Sequence, residues 1–113
     1  MSMTLMSAGQ NICKLLGIDQ DSVTDLFFTE HVSAKVKHKG ILLKTNVGCV
    51  IVPDIKNAEK MFIFSTTKSR DIAFSLYQHA YTQAQIAGMM KITQPTISRI
   101  LGGVKNTDEK DCI

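Results

Sequence analysis

The N-terminal part of the chain carries apolar residues at helical spacing. A helix is predicted over residues 4–16, with Gly17 as its stop. Asp19 or Asp21 is expected to cap a second short helix. The apolar side of that second helix would consist of Val23, Leu26 and Phe27.

Near His31 the pattern changes from helical to alternating, which is typical of a strand with one apolar and one basic face. Lys39 and Gly40 are expected to turn this strand. Further strands are predicted over residues 41–43, 49–52 and 61–64. Together these segments would form a small antiparallel sheet of three or four strands.

Two helices are predicted after the sheet. Ser69 would cap the first, and its inward side would comprise Ile72 and Leu76, with Tyr77 and Ala80 as further candidates. Thr82 begins the second helix, and Gln85 three residues later completes a capping box. The apolar residues Ile86, Ala87 and Met90 then fall on one face.

A turn and one more helix follow. Ile92 is expected to point inward and Thr93 to cap the new helix, while Pro95 is tolerated in its first turn because a missing N–H has no partner there. Its buried side would comprise Ile97, Ile100 and Leu101, and Gly102-Gly103 can end it. The side chains left outside, which can bond bases or phosphate, are Gln94, Thr96, Ser98 and Arg99.

The segment of residues 82–101 resembles the helix-turn-helix of bacterial and phage DNA-binding proteins. Phage repressors of this pattern have a glutamine opening each helix, so the resemblance implies that Gln83 braces phosphate and Gln94 reads adenine. Lys91 occupies the turn position that the family usually gives to glycine. Its backbone must therefore adopt a costly positive φ or turn differently.

A pair of amphipathic helices that only stabilises the fold is the alternative interpretation. Such a pair would more often carry Glu and Lys pairs outside, yet no carboxylate occurs between Asp71 and Asp108. Charge also favours a polyanion partner: residues 31–105 hold eleven Lys/Arg against three acids, a net charge of +8. Residues 1–30 carry −3 and residues 106–113 carry −2, which leaves +3 for the whole chain.

The length of 113 residues allows one domain, or one small domain with an appended motif. We expect an α+β fold with N-terminal helices, a small antiparallel β-sheet and a C-terminal helix-turn-helix. Residues 1–68 would form an α+β region for support and dimerisation, and residues 69–104 the helix-turn-helix DNA-binding region. Residues 105–113 are polar and acidic and are expected to be a disordered tail.

The cysteines Cys13, Cys49 and Cys112 are odd in number and widely spaced, which fits neither a disulfide framework nor a zinc site. Cys13 and Cys49 are expected in the core and Cys112 as an exposed thiol. The sequence shows neither a signal peptide nor a membrane-spanning stretch. A cytoplasmic protein without a membrane partner is therefore expected.

A cluster of basic residues comprises Lys35, Lys37, His38, Lys39 and Lys44. On a strand pair it would make a positive strip that contacts phosphate beside the groove entered by the helix-turn-helix. Equally, lysines keep a sheet edge soluble and discourage edge pairing. A third interpretation is that an exposed strand edge pairs with its copy across a two-fold axis.

Catalytic motifs are missing from the sequence: it has no Gly-rich phosphate loop, no paired His/Cys metal spacing and no nucleophile motif. We therefore expect no enzyme and no cofactor. The expected function is that of a homodimeric transcriptional regulator that binds an inverted repeat in double-stranded DNA. It would act as a repressor, with activation through contact with RNA polymerase as the alternative. Its expected DNA contacts are Gln83, Lys91, Thr93, Gln94, Thr96, Ser98, Arg99, Lys35, Lys37 and Lys39.

Two other functions remain open at this point. A protein-interaction adaptor or anti-activator could present Met89, Met90 and the isoleucines of the helical hairpin to a partner helix, because methionine is common on adaptable binding surfaces. The same segment could also be the DNA-binding part of a recombination or partition system.

Overall fold

The computed structural model describes residues 4–57 and 59–102. In this part of the chain, four antiparallel strands form one sheet in the order β1-β2-β3-β4. The strands are β1 (Val23–Ser33), β2 (Val36–Thr45), β3 (Cys49–Val52) and β4 (Phe62–Phe64). The helices are α1 (Leu5–Leu16), α2 (Ser69–Gln78), α3 (Gln83–Met90) and α4 (residues 94–102). The predicted α+β class is confirmed, while the tail of residues 105–113, with Cys112, lies outside the described residues.

Helix α1 forms as its sequence predicts. The Thr4 hydroxyl accepts a hydrogen bond from the Ser7 N–H over 3.1 Å, which satisfies one of the first free donors of the helix. Gly17 ends the helix in the left-handed conformation, with a φ of 70°. The buried side of α1 includes Ala8, Ile12 and Cys13.

The predicted second helix after Asp19 is wrong. Only a short 3-10 helix forms at Gln20–Ser22, and β1 begins directly at Val23. Apolar residues at positions 23, 26 and 27 fit one side of a helix, but β-branched and aromatic residues dominate this segment and favour a strand. Pairing with the apolar run of β2 then decides the outcome.

The turn between β1 and β2 lies earlier than predicted. Ala34 and Lys35 form it, with φ values of 52° and 65°, and both central residues of a type I′ hairpin need positive φ. Lys39 and Gly40, the predicted turn, lie inside β2 instead. The register pairs Phe28 with Ile41 and Leu26 with Leu43, so the longest apolar segments meet on one face.

The sheet is the middle layer of three. Helix α1 covers one face, where the buried residues are Ile41, Leu43, Val50 and Val52. On the other face, α2, α3 and α4 pack on Leu42, Cys49 and Ile51, and they contribute Ile72, Leu76, Ile86, Met89 and Ile97 to this core. Cys13 and Cys49 are buried free thiols, one on each side of the sheet, as expected.

Helix α2 differs from the prediction at both ends. Its N-cap is Lys68 rather than Ser69, and the Lys68 side chain makes no capping hydrogen bond. Tyr77, a candidate for the inward side, is 51% exposed. Ala80, the other candidate, lies beyond the helix end with a φ of 69° and is exposed. The two inward candidates were therefore wrong, whereas Ile72 and Leu76 are buried.

Strand β1 is an edge strand that α3 partly covers. Ser33 and Val36 flank the two-residue turn and form a hydrogen-bonded pair of the ladder. Because such pairs alternate along an antiparallel strand, the odd-numbered residues of β1 bond to β2, and the even-numbered residues direct their N–H and C=O groups away from it. The Gln85 side-chain amide donates a hydrogen bond to the Val32 carbonyl oxygen over 2.9 Å. Gly88 packs directly against the Glu30 carbonyl oxygen. Covering an edge in this way hinders unwanted strand pairing.

Candidate nucleic-acid interface

Helix α3 begins with the predicted capping box. The Thr82 hydroxyl accepts from the Gln85 N–H over 3.2 Å, and the Gln85 side-chain oxygen accepts from the Thr82 N–H over 2.9 Å. Two donors at the helix start are thereby satisfied reciprocally. The first helical residue is Gln83, which is half-buried.

Lys91 ends α3 with a φ of 54°, so the first of its two predicted alternatives, the positive φ, is the one adopted. The Ile92 N–H donates to the Ala87 carbonyl over 3.1 Å, and this bond closes the turn as it does after a C-terminal glycine. Ile92 packs against the core as predicted. The Lys91 ammonium lies 5.5 Å from the centre of the Phe27 ring.

Helix α4 follows a two-residue connection after Lys91. The Thr93 carbonyl accepts from the Ile97 N–H over 3.1 Å, so Thr93 immediately precedes the helix, and Pro95 lies in its first turn. Ile97 is fully buried, and Ile100 and Leu101 are half-buried against the core. Gly102 is still helical, and Gly103 lies outside the described residues.

The outer side of α4 is polar and exposed. Gln94, Ser98 and Arg99 are all exposed. Ser98 lies about one turn after Gln94 on the same face, and Arg99 lies about 140° around the helix from Gln94, so the three share the outer half of α4. Lys91 and Thr93 are exposed next to them. Thr96 is half-buried, and its hydroxyl lies 2.8 Å from the Thr93 hydroxyl, so it is less available than predicted. Amide, hydroxyl and guanidinium groups on this side can donate to phosphate or to base edges.

The end of the β1–β2 hairpin lies beside the first turn of α3. β3 pairs only with residues 41–44 of β2, so the hairpin extends beyond the rest of the sheet. The bond from Gln85 to Val32 joins this extension to α3. Lys35 is exposed at the turn itself, which places a cation at the end of the sheet nearest to the start of α3.

The predicted basic strip is divided between the two faces of the sheet. Lys37 and Lys39 pair with Val32 and Glu30, on the face that α1 covers further along. The Lys37 ammonium is 3.8 Å from the Glu30 carboxylate, and the Lys39 ammonium is 4.4 Å from the centre of the Phe28 ring. His38 and Lys44 lie on the opposite face, because side chains alternate along β2. A single strip of five basic residues is therefore not formed.

Two stacked histidines lie on the face of the β1–β2 hairpin that α3 covers. The rings of His31 and His38 stack with their centres 5.2 Å apart, and His38 Nδ1 lies 3.1 Å from an Asp54 carboxylate oxygen. Burial lowers the pKa of His31; His38 acts in the same direction and Asp54 in the opposite one. The backbone N–H of Lys56 and the His38 side chain lower the pKa of Asp54. His31 is therefore a neutral, buried ring at neutral pH.

Sequence reasoning missed the contacts that hold α3 on the hairpin. Gln85 and Val32 are separated by 53 positions, and no local pattern relates them. Gly88 was the available signal, since a glycine inside a helix weakens it and usually marks a close backbone approach.

The chain matches no protein-family model, no curated protein and no solved structure. Within residues 4–57 and 59–102, no group of three or more His, Cys, Asp or Glu side chains is arranged to hold a metal ion. None of the helices described is both long enough and apolar enough to cross a membrane.

Proposed function

We propose that this protein binds double-stranded DNA sequence-specifically and that α3, the turn at residues 91–93 and α4 act as a helix-turn-helix. The observation that carries the proposal is the two-sidedness of α4. Ile97 is fully buried, whereas Gln94, Ser98 and Arg99 are exposed together. No Asp or Glu occurs between Asp71 and Asp108, so no carboxylate of α3, the turn or α4 repels a phosphate backbone.

In this proposal α4 enters the major groove. Arg99 can bond the two acceptors of a guanine, and Gln94 can bond an adenine bidentately. Gln83 and Lys91 lie at the two ends of α3 and would contact phosphates, with Thr93, Thr96 and Ser98 as further polar contacts. Lys35, at the hairpin turn beside α3, would extend the phosphate contacts, and Lys37 and Lys39 stay predicted contacts of the same kind.

A single helix-turn-helix buries too little surface for strong specificity, so we propose a homodimer on an inverted repeat. Half-sites about one helical turn apart would then be bound together. Repression follows if the dimer covers a promoter, and contact with RNA polymerase is the alternative mode. We expect the protein to act in the cytoplasm.

The adaptor alternative loses the feature that favoured it. Met89 is 0% exposed and Met90 is 5% exposed, and both belong to the core between α3 and the sheet. Neither side chain can therefore dock on a partner without opening that core.

The deciding experiment is selection of bound sequences from a random duplex library, with the size of the complex determined by light scattering. We expect an enriched inverted repeat bound by two chains. Salt-sensitive binding without enrichment would indicate an architectural role, as in a recombination or partition system, and would contradict a specific regulator. No binding at low salt would contradict DNA binding altogether.

A further inference from the structure

A cavity of about 210 Å³ lies between the sheet and the C-terminal helices. Its floor is the sheet, including Leu42 and Ile51, and its walls include Ser69 at the start of α2 and Met90 and Ile92 at the turn after α3. An apolar cavity of about 150 Å³ is large enough to hold a benzene molecule. The space is therefore sufficient for a small organic ligand.

A row of three ionisable side chains runs across the sheet at this cavity. The register places Asp25 beside Lys44 and Lys44 beside Cys49, so the three side chains share the face under the helices. All three line the cavity. Burial raises the pKa of the Cys49 thiol to about 11, while the ammonium of its cross-strand neighbour Lys44 acts to lower it.

Lys44 is half-buried and has no ion-pair partner among the residues that the structure describes. Its neighbour Asp25 lies beyond ion-pair distance and is exposed. A hydrogen bond between an ammonium and a carboxylate that approaches it directly is roughly twice as strong as one between neutral groups. Thr67 and Ser69 line the same cavity, and their side chains carry hydroxyls that can donate to an anion.

Much of the remaining lining is apolar. It includes Leu42, Ile51, Ile72 and Met90. Ligand sites commonly combine such an apolar wall with a few polar groups that fix orientation. The Lys44 cation, the hydroxyls and the apolar side chains together match a small molecule with a carboxylate and a hydrocarbon body, whose carboxylate must lie nearer to Lys44 than to the exposed Asp25.

We propose that this cavity is a binding site for a small monocarboxylic acid, with its carboxylate on the Lys44 ammonium and its hydrocarbon part against Leu42, Ile51 and Met90. The ligand would touch the sheet and the turn that joins α3 to α4 at the same time. If the proposed DNA-binding function holds, on which this step rests, occupancy of the cavity changes the affinity for DNA.

Three matched probes test the site: benzoate, the neutral benzamide of nearly equal shape and the cationic benzylamine. Binding is followed by the methyl NMR signals of Met90 and Met61 at constant ionic strength. Met90 lines the proposed site, whereas Met61 lines a separate apolar cavity under α1. We expect benzoate to shift the Met90 signal and benzamide to bind at least about tenfold more weakly, because a charge-assisted hydrogen bond is lost.

Variants of Lys44 provide the second test. Lys44→Met should weaken benzoate at least about tenfold, and Lys44→Arg should largely retain binding, since it keeps the cation. Lys56→Met, an exposed lysine outside the cavity, is the matched control and should bind as the original chain does. Equal binding of the three probes by the unaltered protein, no shift at Met90, or full binding by a folded Lys44→Met variant would each overturn the site.

Coupling to DNA is measured separately. We expect saturating benzoate to change the dissociation constant for DNA. Saturating DNA should then change the dissociation constant for benzoate by the same factor, as linkage requires. Benzoate binding with an unchanged DNA affinity would overturn the regulatory role. A chain that binds no DNA either with or without benzoate would instead refute the proposed function, and the NMR titration would still test the site.

Discussion

A methyl group placed on the Cα of Gly88 would lie 2.1 Å from the carbonyl oxygen of Glu30. No real Cβ tolerates such a distance to a backbone atom, so α3 can pack on β1 only with glycine at this position. The contact lies next to the bond from Gln85 to Val32. Together the two contacts fix the proposed DNA-binding unit to the edge of the sheet.

Replacement of Gly88 by alanine should therefore destabilise the protein although alanine favours helices. We expect a loss of roughly 1–3 kcal/mol in the free energy of unfolding, measured by denaturant titration, because the backbone must move to relieve the clash. Gly102→Ala is the control: it lies in α4, a Cβ there meets nothing within 4 Å, and the change should be neutral or slightly stabilising. Equal effects of the two substitutions would contradict the close packing.

Glycine at position 91 should stabilise the turn. Lys91 has a φ of 54°, which strains a residue with a Cβ, so Lys91→Gly is expected to gain about 0.5–1 kcal/mol in the free energy of unfolding. Lys91→Ala keeps the strain and loses only the contact with Phe27, and it should gain nothing. The measurement is the melting temperature of each variant. An equal shift for Lys91→Gly and Lys91→Ala would show that backbone strain at position 91 does not lower the stability.

Stability should fall as the pH drops below neutrality. The pKa of His31 is lowered from its ordinary 6.5, so the unfolded chain binds a proton that the folded protein rejects. The free energy of unfolding then decreases as the pH falls through 6.5 and levels off below the lowered pKa of His31. The groups that face His31 are His38, Asp54 and Tyr81. The pKa of Asp54 is lowered from 3.8, so Asp54 stays ionised throughout this pH range.

The measurement is the free energy of unfolding at pH 7.5 and pH 5.5. His31→Phe should reduce its change between the two pH values, because the group that resists protonation is gone. His79→Phe is the matched control, since His79 is exposed and should leave the change intact. An unaltered pH dependence in His31→Phe would rule out His31 as its source.

Arg99→Ala and Gln94→Ala should each relax sequence preference, at a cost of roughly 1–3 kcal/mol for the preferred site, if the side chains bond bases bidentately. Affinity for random DNA should change much less. Lys56→Ala serves as control because Lys56 lies on the short helix after β3, away from α4. If Arg99→Ala retained the ratio of specific to random binding, α4 would not be the recognition helix.

Lys35→Ala should weaken binding to all DNA sequences alike and lower the slope of log affinity against log salt by about one unit. Lys37→Ala should have a smaller effect, since Lys37 lies on the opposite face of the sheet from α3 and close to Glu30. The comparison uses fluorescence anisotropy at several salt concentrations. Equal effects would mean that both faces of the hairpin approach DNA, in contradiction to the arrangement described above.

Local sequence determined α1, the capping box and the last two helices. Thr4, Gly17, Thr82 and Gln85 act within a few residues of their positions, so the caps that they form need no partner from elsewhere in the chain. The inward positions Ile72, Leu76, Ile86 and Ile97 also follow from helical spacing alone. The two buried cysteines follow from their apolar neighbours.

Only the tertiary structure decided β1, the hairpin turn and the surface that α3 covers. Val23 to Phe28 fit a helix or a strand equally well by spacing, and pairing with β2 made them a strand. That register then put Lys37 and Lys39 on one face and Lys44 on the other, where it meets the cavity. Contacts such as Gly88 with Glu30 join residues far apart in the chain, and no local pattern encodes them, because their free energy is gained only after both elements have formed.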